Sequence, residues 1–208
     1  MTLEERKKLF LEVFAIASAH YKNSKRRLAG EGWKYDWQTL IVTIFSAQTR
    51  DEVTIPVCEK LFKKYESLKK FVEIDEEVLK MYIRPLNYYQ NKAKYAIKTA
   101  KILLEKHGGK VPSTLEELID LPGVGRKTAN LIIGELFNKQ GICVDTHVHR
   151  ISNVLGLVKT KTPDQTEKEL MKVAPEKYWN KINRIFVLWG QDVKGYDKDK
   201  FLEKIKSG

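Results

Sequence analysis

The stretch LEELIDLPGVGRKTANLIIGELF, residues 115–137, decides the reading of this chain. A short amphipathic helical turn enters Pro122-Gly123-Val124-Gly125, and a second helix leaves it. Glycine adopts positive φ and carries no Cβ, so the backbone turns tightly and another chain can approach it closely. The first N–H groups of the second helix have no acceptor inside that helix. Together with the helix dipole they suit a phosphate. Gly123, Val124, Gly125 and Arg126 are therefore the candidate phosphate contacts. A Gly-X-Gly alone is a common turn; LPGVGRKTA placed between two helical patterns is far more specific.

Outward from this hairpin the chain reads as helical throughout, with no alternating strand pattern. Helices are expected over 2–22, from an N-cap at Asp36 to about 48, after a cap at Asp51, over 75–82 and over 90–107. The last of these is broken by Gly108-Gly109. Beyond the hairpin helix, Asp145 stands where the next helix needs a cap. Thr162-Pro163 then reads as an N-cap followed by proline in the first helical position. Helices over about 163–173 and 177–191 and a Lys-rich helix from Tyr196 complete an all-α protein.

The 208 residues carry a net charge of +11. Such an excess favours a polyanionic partner, since neutralised phosphates release counterions; a solvated Lys-rich surface gives the same number. No apolar run spans a bilayer, and MTLEERKKLF lacks a secretory signal pattern. A cytoplasmic protein with no membrane contact is the expectation. The two cysteines, Cys58 and Cys143, supply neither a disulfide framework nor a four-cysteine metal site. His147 and His149 are two apart and point to different helix faces, a poor metal pair. No metal is expected.

With these residues in view, the chain is similar to the helix-hairpin-helix (HhH-GPD) superfamily of DNA glycosylases, and LPGVGRKTAN resembles its endonuclease III branch. The likeness continues in FSAQTRD at 45–51, LNYYQNKA at 86–93 and VDTHVHRISN at 144–153. It implies two closely packed helical domains with a cleft between them. One is a six-helix domain over 29–139; the other is built from 1–28 and 140–208. It also implies base-excision repair of double-stranded DNA holding a damaged base or abasic site. The protein is then a monomer on chromosomal DNA, nuclear in a eukaryote.

Lys127 lies in the first turn of the helix after the hairpin. Charge pattern alone makes it a phosphate-binding or surface lysine; the resemblance makes it the catalytic nucleophile. An electropositive helix end, burial and neighbouring cations would favour the neutral amine such a role needs. Asp145 reads as an N-cap, and the resemblance adds the role of essential carboxylate. Gln48 reads as an exposed helix-end residue, and Tyr88 with Tyr89 as a core aromatic pair. By resemblance Gln48 contacts DNA, Tyr88 occupies the wedge position beside a flipped nucleotide and Tyr89 is structural. Lys92, near the same loop, is expected to meet a phosphate.

Many endonuclease III proteins end in a four-cysteine iron–sulfur loop. Here VLWGQDVKGY runs into DKDKFLEKIKSG, so no cluster and no cofactor are expected. Three functions compete. One is a glycosylase with AP lyase activity for oxidised pyrimidines, one a uracil or mismatched-thymine glycosylase, and one a non-catalytic DNA-binding module. Lys127 with Asp145 implies the first and counts against the third; substrate assays separate the first two.

Overall fold

The computed structural model describes residues 1–138 and 141–206. Lys139 and Gln140, where the second domain boundary was expected, lie outside the described residues. In chain order the helices are α1 (Leu3–Tyr21), α2 (Asp36–Ser46), α3 (Asp51–Lys64), α4 (Leu68–Val72), α5 (Glu76–Ile83), α6 (Tyr89–His107) and α7 (Leu115–Ile119). They continue as α8 (Arg126–Phe137), α9 (Thr146–Val154), α10 (Pro163–Val173), α11 (Trp179–Asp192) and α12 (Lys198–Lys206), with a 3-10 turn at Glu176–Tyr178. Among the described residues there is no strand. The chain divides into two compact units, Arg27–Phe137 and Met1–Arg26 with Asn138–Gly208.

The unit Arg27–Phe137 is organised around α2. Its residues 37–45 are all buried, because α3, α6 and α8 pack around it. A helix covered on every side needs apolar residues on every face, which is how WQTLIVTIF reads. The buried Thr43 hydroxyl is satisfied by donating to the Thr39 carbonyl at 2.7 Å. Trp37, Phe62 and Phe71 meet one another at ring-centroid distances of 5.1–6.2 Å. Asp36, expected as the cap, is the first residue of α2; Tyr35 is the cap, and its N–H donates to Gln38 Oε1 at 3.2 Å. The short α4 was not anticipated. Ser67 caps it by accepting from the Lys70 N–H, and five residues are too few to show a helical period.

The unit formed by both chain ends has α11 at its centre, packed against α1 and α9. Phe10, Phe14, Phe186, Trp189 and Phe201 fill its core. Thr2 and Glu5 start α1 with a reciprocal capping box, satisfying two terminal N–H groups at once. The C-terminal helix is docked rather than solvated on all sides. Phe201 and Ile205 are buried, Trp189 Nε1 donates to the Phe201 carbonyl at 3.0 Å, and the two rings meet edge to face at 5.6 Å. Arg150 holds the segment leading into α12 by donating to the carbonyls of Gly190, Val193 and Gly195 at 2.8–3.1 Å.

Candidate nucleic-acid interface and catalytic residues

The hairpin between α7 and α8 is set by two glycines with different duties. Gly123 sits at φ 79°, and a Cβ there would lie 2.9 Å from Tyr95 Cβ on α6. Only glycine fits both the backbone and the space. A Cβ at Gly125 would meet no atom within 4 Å, so the protein's own packing does not demand glycine there. From α6, Thr99 Oγ1 donates to the Pro122 carbonyl at 2.9 Å and anchors the turn. Gly123, Gly125, Arg126 and Lys127 are exposed. Val124 departs from its expected part in a phosphate contact. Its side chain belongs to the core, and its N–H donates to the Leu121 carbonyl at 3.1 Å. It holds the turn in place.

Lys127 stands at the second residue of α8, so its backbone lies in the first helical turn. Its burial was expected, but the residue is exposed. Asp51 is a neighbour that sequence reasoning missed. It was expected to cap α3, but Arg50 is the cap. The Asp51 carboxyl instead accepts from the Ala29 N–H and lies near enough to Lys127 to feel its charge. Burial pushes this carboxyl above the ordinary carboxylate range; the Ala29 N–H pulls it back, Glu52 and Glu31 raise it, and Lys127 lowers it. Asp51 and Lys127 are 76 positions apart, so no local pattern reveals the pairing.

Asp145 caps α9: its Oδ1 accepts from the Val148 N–H at 2.8 Å. The extended approach to it is tied to α11. Asn180 Oδ1 accepts from the Gly141 N–H at 3.3 Å, and Asn183 Nδ2 donates to the Cys143 carbonyl at 3.1 Å. The cap leaves Asp145 half-buried with a fixed backbone. Lys127 and Asp145 belong to different units.

Gln48 and Tyr88 are both exposed, Tyr88 at 63%. Both have left-handed backbones, at φ 54° and 58°. Tyr89 instead packs against the core, so the two adjacent tyrosines are not a core pair. Lys92 is the clearest departure. It is 5% exposed, on the α6 face shared with Ala96 and Thr99, and its Nζ donates to Thr49 Oγ1 at 2.8 Å. Burial lowers its pKa to about 8. A side chain so enclosed is turned away from a surface phosphate.

The family match covers residues 41–176 and is to the HhH-GPD superfamily base excision DNA repair protein family. The chain belongs to the HhH-GPD superfamily. This member lies on the endonuclease III side. It is 45% identical over 157 residues to Endonuclease III of Thermotoga maritima, covering 76% of this chain and 74% of that protein. It is similar to a trapped Endonuclease III–DNA covalent intermediate with TM-score 0.82 and 30% identity, over 92% of this chain and 87% of the other. It also shares its fold with a thermostable thymine-DNA glycosylase, at TM-score 0.73 and 19% identity, covering 89% of this chain and 86% of that one. An endonuclease III-like HhH-GPD protein is a DNA glycosylase with AP lyase activity, and that is the activity class of this chain. DNA is its partner.

The iron–sulfur loop common in this branch does not fit these residues. The two cysteines are buried in different units, and the segment after α11 offers Arg150-bound carbonyls and the Phe201 ring in place of thiolates. Among the described residues, no group of three or more His, Cys, Asp or Glu is placed to hold a metal ion. No helix among them is long and apolar enough to cross a membrane.

Proposed function

We propose that this HhH-GPD protein removes oxidised pyrimidines from double-stranded DNA and cuts the strand at the resulting site, with Lys127 as nucleophile and Asp145 as the supporting carboxylate. The observation that carries this reading is the exposed Lys127 in the first turn of α8, directly after a hairpin whose Gly125 leaves open space for a phosphate. Gly123, Gly125 and Arg126 grip the backbone while the damaged nucleotide flips out of the stack. The Lys127 amine then forms a bond to sugar C1′ as the bond from C1′ to the base breaks, and the base leaves with the electron pair and takes up a proton. The amine loses a proton, the sugar ring opens and a Schiff base forms. Loss of a C2′ proton expels the 3′ phosphate and cuts the strand. Asp145 opposes the positive charge that develops on the sugar.

We place Gln48 and Tyr88 in the opened stack, where an aromatic face replaces lost base stacking worth about 1–3 kcal/mol. The protein acts as a monomer and without an iron–sulfur cluster, on chromosomal DNA in the cytoplasm, or in the nucleus of a eukaryote. The test is a panel of duplexes containing thymine glycol, dihydrouracil, uracil, oxidised guanine or mismatched thymine, read with and without alkali. Release of thymine glycol and dihydrouracil with alkali-independent cutting is expected. Preference for uracil or mismatched thymine would overturn the substrate class. Asp145→Asn keeps a good cap and removes the charge, so base release should fall by about two to three orders of magnitude with the fold intact. Near-normal single-turnover release would remove Asp145 from the chemistry.

A further inference from the structure

Three non-glycine residues among those described have left-handed backbones, and two of them are Gln48 and Tyr88. A bulky aromatic residue rarely adopts this conformation. It persists where the surroundings over-determine it, and the surroundings here can be named. Asn87 Nδ2 donates to the Gln48 carbonyl at 2.5 Å, and the Asn87 N–H donates to Thr49 Oγ1 at 3.2 Å. From below, Lys92 Nζ donates to the same Thr49 oxygen at 2.8 Å. The Thr49 N–H itself donates to the Ser46 carbonyl at 3.0 Å, and the Lys92 N–H to the Tyr88 carbonyl at 3.1 Å. Gln48 and Thr49 are thus bonded to residues on either side of Tyr88, Asn87 before it and Lys92 after it. The anchoring lysine is enclosed, with buried Cys58 of α3 beside it. Placing an amine there costs solvation, and a leucine or methionine would fill the space without that cost.

We propose that Lys92, Thr49 and Asn87 form a clasp that presents Gln48 and Tyr88 to the duplex as one preset unit, with Lys92 as its positioning residue. The clasp rests on the reading of Gln48 and Tyr88 as residues that enter the stack. Two loops fixed in advance open a paired duplex without first being ordered by it, which lowers the entropic cost of the step. A misplacement of about 1 Å in such a group is enough to slow a reaction strongly.

The test is AP lyase cutting of an abasic site under single-turnover conditions, with the site in a fully paired duplex and in a single strand. Lys92→Met and the isosteric Thr49→Val should each be slowed about tenfold on the duplex and within about twofold on the single strand, where no stack is opened. Thr49→Ser, which keeps the hydroxyl, should cut the duplex at the normal rate. The Lys92→Met/Thr49→Val double variant should be no slower than Thr49→Val alone, since the Lys92 contact is already lost in that variant. Equal slowing on both substrates, or a double variant slowed by the product of the two effects, would overturn the clasp. So would a Lys92→Met variant whose salt dependence of binding loses about 0.9 in log–log slope, because that would make Lys92 a phosphate contact. Tyr88→Ala and Gln48→Ala, run alongside, separate the premise from the proposal. If they cut the duplex normally, the stack-entry reading fails. If they are slowed while Lys92→Met and Thr49→Val are not, the clasp alone fails.

Discussion

The hairpin at 122–125 and the paired loops around Gln48 and Tyr88 both present exposed backbone, but they are held by opposite means. In the hairpin, consecutive residue types set the turn, and Tyr95 and Thr99 of α6 pack and anchor it from outside. Gly123 takes a conformation closed to other residues, Val124 plugs into the core, and α8 begins at once. In the paired loops neither strained residue is a glycine, and the restraint comes from bonds between residues 38 to 43 positions apart. A local device writes its conformation into consecutive residue types. A long-range one leaves only an asparagine, a threonine and a lysine, each ordinary alone.

The largest stability effect should come from breaking the hairpin at Gly123. Gly123→Ala forces a Cβ against Tyr95 at positive φ and should cost about 2 kcal/mol or more, lowering the thermal midpoint by several degrees. Gly125→Ala should change stability by less than about 0.5 kcal/mol, yet weaken binding to abasic duplex if the open space around its Cβ takes the proposed phosphate. Equal melting temperatures for the two variants would contradict the division of duties. In the paired loops the sign reverses. Tyr88→Gly relieves a left-handed backbone worth about 1 kcal/mol and removes little packing, so denaturant unfolding should show unchanged or raised stability alongside slower cutting of paired DNA. A loss of several kcal/mol would return Tyr88 to the core.

That contrast also accounts for what was legible. The all-α class was read from period and caps, and Thr162 and Asp145 cap as their sequence context suggested. The hairpin was legible because its chemistry is local. Lys92 was placed on a phosphate because a lysine beside a loop looks solvated in sequence; only the packing of α6 shows its amine turned onto Thr49. Asp51 was read as a cap because Asp before a helix usually is one. Its turn toward Ala29 and Lys127 depends on a fold that brings distant segments together.

A pH dependence sharpens the buried side of the comparison. The folded pKa of Lys92, about 8, lies below the ordinary lysine value of about 10.4. In that interval the unfolded chain binds more protons, so stability rises with pH from about 8 to 10.4 and the burdened, charged form is folded below that window. Cys58, the titratable group beside it, has its thiol pushed up by burial, which favours its neutral form. Lys92→Met should flatten the rise in denaturant midpoints across these pH values. An unchanged slope in the variant would assign the dependence elsewhere.

The most direct test of the central claim is to reduce the protein with borohydride on DNA bearing an abasic site and map the covalent adduct by peptide mass spectrometry. The account predicts that the sugar remnant sits on Lys127, in the peptide that follows the hairpin, and that Lys127→Ala gives no adduct while still binding the duplex. An adduct on any other amine, or undiminished trapping by the Lys127→Ala variant, would contradict it.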